Sequence, residues 1–383
     1  MFSVRSLFRS GLLAAVMVAG TVGSAVAATI DTQAHQVILL DATTNTVLFE
    51  KNADQRMPTS SMSKVMTMYM VFEALRAGRM SLDDTLQVSE HAWRMQGSKM
   101  FVELGARIKV EDLIRGVVIQ SGNDAAIVLA EALAGSEDAF GVQITKRAHE
   151  LGMADSSFAN ATGWPADNHS STCRDLATLA KAMIETFPEY YHFFSERDFT
   201  YHGIKQGNRN PLLYRNIGVD GLKTGHTEVA GFGLIASALR DSRRLILVVN
   251  GLTSMQSRAD EPARLLEWGF REFNVYTLFK PGETVEQLPV WLGQAPSVAA
   301  VTGQGFQVTL AQEERRGLKV TMQAQVPLPA PIVKGATVGK LVITAPGFVT
   351  REVPLVAAAD VPRLGFLGRL AAAAHHVVFG TVM

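Results

Sequence analysis

The chain has 383 residues, of which 47% are hydrophobic, and its 36 basic and 36 acidic residues cancel to a formal net charge of zero. That length suits two domains with substantial cores, and a balanced charge without long runs argues against nucleic acid as a partner. A single cysteine, Cys173, excludes an internal disulfide, so stability must come from packing.

Taken in order, Arg5 and Arg9 precede an apolar run over 11–22, and Ala25-Val26-Ala27 follows with small side chains. This pattern predicts a secretory signal cleaved after Ala27. The alternative, an N-terminal membrane anchor, is opposed by a run too short to cross a bilayer. Strands are expected over 36–40 and 46–49, joined by a turn. Pro58-Thr59-Ser60 leads into a helix over 61–77, which carries Val65, Met66, Met68, Met70, Val71, Phe72 and Leu75. It is apolar almost all round and therefore buried, with methionine as core filler. Further helices are expected over 110–121, 124–134, 137–152 and 176–186, the last preceded by the capping residues Ser171 and Thr172. Cys173 beside them reads as a structural thiol. A strand over 221–224, a hairpin of 231–239 with 244–252, and a helix over 258–273 complete this part. Strands at both ends of a helical block imply one sheet with the block inserted into it.

Beyond residue 276 the alternating runs 306–310, 318–323 and 340–344 indicate a small all-β domain, a spacer or an interaction module. Pro362 then precedes a helical pattern over 363–378. Leu367, Leu370, Ala371, Ala374, Val377 and Val378 share one face, with Arg369 and His376 opposite. That pattern predicts an amphipathic helix lying in a membrane surface; a helix docked on the protein itself is the alternative. The chain thus divides into a signal over 1–27, a catalytic domain over 28–274, a small β-sandwich domain over 275–358 and an anchoring helix over 359–383.

Three short motifs stand in fixed order: Ser61-Met62-Ser63-Lys64, Ser121-Gly122-Asn123 and Lys223-Thr224-Gly225. Singly, each has a plain structural reading as a helix cap, a turn or a strand end. Together they supply a chemistry. A serine hydroxyl is a poor nucleophile until a base lies within hydrogen-bond reach. A spacing of three on a helix brings Lys64 to Ser61. Burial in the apolar helix, with Lys223 as a second cation, would lower the lysine pKa enough for it to act as that base. Ser121 is placed to relay a proton between the two lysines and a leaving amine. Asn123 can hold Lys64 and a substrate amide. Thr224 and its strand can align an extended peptide, and the backbone N–H groups of Ser61 and His226 can face a developing oxyanion.

On these motifs and their surroundings the chain resembles the low-molecular-mass penicillin-binding proteins that act as serine-type D-alanyl-D-alanine carboxypeptidases, peptidase family S11. The likeness is carried by 58–67, 118–125, Phe187-Pro188-Glu189-Tyr190-Tyr191, Gly207-Asn208-Arg209-Asn210 and 219–227, and it extends over nearly the whole mature chain. It implies an α/β penicillin-recognition domain (β-lactamase/transpeptidase-like), an antiparallel sheet with helices on both faces and a helical subdomain, followed by the small all-β domain and the amphipathic helix. It implies that Ser61 attacks the carbonyl between the last two D-alanines of a peptidoglycan stem pentapeptide, with Lys64 as base. Ser121, Asn123 and Lys223 would complete the relay, while Thr224, Gly225, His226 and Arg258 would bind the substrate and its terminal carboxylate; Arg209 would support the site. It also implies covalent inhibition by β-lactams, no metal or organic cofactor, and residence on the periplasmic face of the cytoplasmic membrane. A D,D-endopeptidase shares every motif. A β-lactamase of the same fold would need an added glutamate, and no Glu-x-x-x-Asn loop lies between Asn123 and Lys223. A non-catalytic wall-binding scaffold is the reading from a different class.

Overall fold

The computed structural model describes residues 30–379, so the expected signal lies outside the described residues. β1 (Gln36–Asp41) and β2 (Thr46–Lys51) form the expected first hairpin. β1 reads as an uninterrupted apolar run because both its faces are covered. Val37 and Leu39 enter one core and Ile38 and Leu40 the other, the two-residue alternation of extended backbone. The chain then leaves the sheet. It forms α1 (Lys64–Arg76), β3 (Thr85–Gln87), α2 (Glu90–Arg94) and β4 (Arg107–Lys109), and then α3 (Val110–Val118), α4 (Asn123–Ala134), α5 (Glu137–Glu150) and α6 (Cys173–Thr186). The hairpin β5 (Asp198–Tyr201) and β6 (Ile204–Gly207) closes this block.

The return strands are β7 (Val219–Thr227), β8 (Gly231–Arg240) and β9 (Arg243–Leu252), giving an antiparallel five-stranded sheet ordered β2-β1-β9-β8-β7. Asp241 and Ser242 turn the last hairpin at φ 47° and 65°, the left-handed pair that a tight two-residue loop requires. α7 (Met255–Glu272) covers one face of the sheet with Leu265, Leu266 and Trp268, while the helical block covers the other. α7 starts three residues before the expected position because Ser254 and Ser257 form a capping box with serine in place of the usual Glu or Gln. Cys173 is buried, and burial pushes its thiol pKa up, as suits a structural thiol.

Without any linker, β10 (Phe273–Phe279) begins the all-β part. β11 (Thr284–Trp291), β12 (Ser297–Thr302), β13 (Phe306–Ala311), the short α8 (Gln312–Arg316), β14 (Lys319–Gln323), β15 (Leu328–Pro329), β16 (Thr337–Thr344) and β17 (Arg351–Ala357) follow. Six strands make one sheet in the order β14-β16-β17-β12-β11-β15, and β10 pairs with β13 as a separate ribbon. Leu288, Val290, Leu341, Ile343 and Leu355 give this domain a core of its own. α9 (Phe366–Phe379) is the C-terminal helix.

Candidate active site

The sheet order leaves β7 on a free edge, facing the turn that opens α1. That turn is not the α-helix expected from residue 61. Ser60–Ser63 is a 3-10 turn, and α-helix begins at Lys64. In 3-10 geometry residues i and i+3 eclipse, so Lys64 stands directly under Ser61. Its Nζ lies 2.9 Å from Ser61 Oγ. Two serines near this pair, Ser60 (φ 49°) and Ser121 (φ 62°), hold left-handed backbone that is uncommon for such residues and recurs at functional sites. Gly225 of the Lys-Thr-Gly motif is there for clearance. A Cβ at that position would lie 2.9 Å from the Thr59 carbonyl oxygen and 3.0 Å from Met62 Cγ.

Lys64 is fully buried, and its Nζ also reaches Asn123 Oδ1 at 2.7 Å and the Thr162 carbonyl oxygen at 2.6 Å. The last two partners are acceptors only. When Lys64 is neutral, its two N–H bonds must serve them, and the remaining lone pair points at the one partner able to donate, the Ser61 hydroxyl. Burial, reinforced by the Arg209 charge, lowers the lysine pKa to about 7. The expected second cation, Lys223, repels Lys64, and that repulsion acts on both amines. Lys223 is itself pushed well below the ordinary lysine value, by burial first and then by the charges of Lys64, Arg209 and Arg258.

Lys223 Nζ donates to Ser121 Oγ at 2.9 Å and to the Thr224 carbonyl at 3.1 Å. Ser121 therefore belongs to Lys223 in the resting arrangement and is not among the three hydrogen-bond partners of Lys64. Asn123 Nδ2 donates to the Gln96 carbonyl at 2.8 Å, which fixes its Oδ1 toward Lys64.

Ser61, Ser121, Thr224, Gly225, His226, Arg209 and Arg258 line one cleft of about 370 Å³, with Ser98, Phe232 and Met255. Arg258 is not a surface ion-pairing residue. It is 8% exposed, lies 5.3 Å over the Phe232 ring, and has a buried Nε without a hydrogen-bond partner among the described residues. Burial lowers the pKa of Arg209, and burial followed by the Arg209 charge lowers that of Arg258. Both guanidinium groups therefore suit an incoming carboxylate. A slightly larger cleft of about 430 Å³ between β2 and the loop 347–351 is mainly apolar and holds no paired nucleophile and base.

Three contributors escaped the sequence reading. Thr162 acts through a backbone carbonyl, which no residue type advertises. Ser98 accepts from Arg209 and receives the Asn123 N–H on its carbonyl at 2.7 Å. The buried Asp124 carboxylate accepts from the N–H groups of Met100, Phe101 and Val102 at 2.9, 2.9 and 3.2 Å, so it locks the loop that carries Ser98.

Residues 22–254 match the family model for D-alanyl-D-alanine carboxypeptidases (Peptidase S11), and residues 273–363 match that for the C-terminal domain of penicillin-binding protein 5. The chain is 39% identical over 341 residues to the D-alanyl-D-alanine carboxypeptidase DacC of Escherichia coli K12, covering 87% of this chain and 85% of that one. Among solved structures, penicillin binding protein 5 from Haemophilus influenzae superposes with a TM-score of 0.79 at 34% identity, over 88% of this chain and 99% of that chain. Penicillin-Binding Protein D2 from Listeria monocytogenes, solved in an ampicillin-bound form, superposes with a TM-score of 0.59 at 31% identity, over 63% of this chain and 99% of that chain. The matched range 22–254 takes in the Ser-Met-Ser-Lys turn, the Ser-Gly-Asn turn and the Lys-Thr-Gly edge: this chain belongs to the D-alanyl-D-alanine carboxypeptidase family.

Proposed function

We propose that Ser61 is the nucleophile of a D-alanyl-D-alanine carboxypeptidase acting on peptidoglycan stem pentapeptides. The observation that carries this reading is the placing of Lys64 Nζ 2.9 Å from Ser61 Oγ, with two further partners that can only accept. Ser61 Oγ attacks the carbonyl carbon between the two D-alanines as its proton passes to Lys64. The oxyanion faces the backbone N–H groups of Ser61 and His226. The C–N bond then breaks, and the lysine proton is returned to the departing amine through Ser121, whose hydroxyl Lys223 holds. Water cleaves the ester and restores Ser61. Thr224, Arg258 and Arg209 receive the terminal carboxylate, while Asn123 and the free edge of β7 align the peptide. A β-lactam presents an equivalent amide carbonyl, held in a strained ring, and acylates Ser61.

The same reading includes export through the signal over 1–27 and attachment to the outer face of the cytoplasmic membrane by α9, with the β domain over 275–358 between anchor and site. Apolar side chains exposed on α9 support the attachment. Ser61→Ala tests the central assignment. It should abolish both D-alanine release from a stem pentapeptide and covalent labelling by a fluorescent penicillin. Labelling that persists in the variant contradicts it.

A further inference from the structure

Beneath the nucleophile turn lies a buried polar strut that the reaction itself does not use. His169 is 6% exposed, and its Nε2 lies 2.6 Å from Ser63 Oγ, in the residue just before Lys64. Its Nδ1 accepts from the Ala159 N–H at 3.2 Å. A backbone N–H can only donate, so Nδ1 carries no proton and the neutral ring holds its proton on Nε2. His169 therefore donates to Ser63, which leaves the Ser63 hydroxyl proton to go on to Thr59 Oγ1, at the start of the same turn. Thr59 and Ser63 are both fully buried. The ring is wedged edge-on against Phe158, with centroids 5.5 Å apart. Burial and the Lys64 charge hold the His169 pKa down to about 4, which keeps this arrangement neutral.

The strut joins two parts whose separation matters. On one side is the turn with Ser61 and Lys64. On the other is the loop beginning at Ala159, whose Thr162 carbonyl takes one Lys64 N–H and whose Ala161 carbonyl accepts from Thr67 Oγ1 at 2.7 Å. The loop is tight in itself: Asn160 Oδ1 accepts from the N–H groups of Thr162, Gly163 and Trp164 at 3.2, 2.8 and 3.1 Å. It also presses on the turn from above, where a Cβ at Gly163 would lie 1.8 Å from the Ser60 carbonyl oxygen. A rigid loop moves as a unit, so its distance from Lys64 is set where it is tied down, and His169 ties its first residue to the residue before Lys64.

We infer that His169 is a positioning residue for acyl transfer: by bridging Ala159 and Ser63 it sets the Thr162 carbonyl against Lys64, and so aims the lysine lone pair at Ser61. This rests on the role proposed above for Ser61 and Lys64. It makes His169 matter to the chemical step and not to ligand capture, because none of its contacts reaches the cleft that takes the substrate.

The test measures acylation of the full chain by a fluorescent penicillin, resolving the apparent dissociation constant from the limiting acylation rate. His169→Ala should lower the limiting rate by about 30-fold or more, the scale of a misplaced catalytic group, and leave the dissociation constant within about threefold. His169→Gln, which retains an amide donor near Ser63, should recover much of that rate. Ser63→Ala added to His169→Ala should cost little more, because the strut is already broken. A His169→Ala rate within about threefold of wild type, an equal loss in binding, or additive effects of the two substitutions would each overturn the inference. If His169→Ala does not fold, His169→Asn, which keeps the acceptor for Ala159 but loses the donor to Ser63, is read by the same criteria. A wild-type chain that never becomes labelled refutes the Ser61 assignment instead, so the two failures are distinguishable.

Discussion

Lys64 and Lys223 both sit fully buried without a carboxylate among their hydrogen-bond partners. Burial disfavours the charged form of an amine, and here it is the first cause of both depressed pKa values. For Lys64 the consequence has a definite sign. Below its folded pKa of about 7 the amine is protonated, its lone pair is gone, and the base proposed for Ser61 is lost. The acylation rate should therefore rise with pH through about 7 and level off above it, falling about tenfold per unit on the acid side. Penicillin labelling rates across a pH series check this. A profile flat through neutrality would mean that a group other than Lys64 takes the proton. Lys64→Arg, which stays charged at every accessible pH, should not acylate at all.

At the scale of elements, the joint between the two domains is built on one buried charge. Asp41 at the end of β1 is fully buried and takes Arg243 Nε at 2.8 Å and Thr309 Oγ1, from β13, at 3.0 Å. Arg243 also donates to the carbonyls of Phe273 and Gly269, where α7 runs into β10. Arg243→Met would leave the Asp41 carboxylate buried without its cation. It should cost about 3–5 kcal/mol, the usual penalty for breaking a buried pair. Thr309→Val removes one hydrogen bond to that carboxylate and should cost nearer 1–3 kcal/mol. Denaturant unfolding of the two variants checks the ranking; equal effects would show that the pair is not what holds the joint. None of this joint could be read from the chain, since Asp41, Arg243 and Thr309 lie far apart in sequence and no local pattern marks them. The long elements were legible for the opposite reason: β1, β8 and β9 alternate between two cores, and α1 is apolar all round. The region 85–109 was not, because its strands are three residues long and its order comes from the Asp124 carboxylate. In the site, residues acting through side chains at motif spacing were foreseen. Thr162 and Ala159 act through backbone atoms and were not.

At the scale of the whole molecule, the attachment proposed for α9 rests on its length and on the face it exposes. Its 14 residues reach only about 21 Å at 1.5 Å per residue, short of a bilayer core of about 30 Å, and no described helix is long and apolar enough to cross one. Phe366, Leu367, Leu370 and Val377 are 72%, 78%, 63% and 84% exposed. At about 100° per residue they fall within one stripe roughly 100° wide, while the buried Ala372 lies on the far side. A helix docked on its own domain would hide that stripe, and this one presents it. Immersing four such side chains in a lipid interface is worth on the order of 6 kcal/mol before the cost of immobilisation, enough for reversible attachment. The lead-in to the helix belongs instead to the β domain. Gln294 N donates to the Pro362 carbonyl and Leu364 N to the Leu292 carbonyl, each at 2.9 Å or less. A truncation should therefore keep Leu364 and remove residues 366–383. That protein should fail to sediment with phospholipid vesicles yet release D-alanine from a soluble pentapeptide at an undiminished rate, because the cleft around Ser61 uses nothing beyond Arg258. Continued sedimentation of the truncated protein would place the attachment elsewhere on the molecule. Loss of activity on the soluble peptide would show that the tail serves the site as well as the surface.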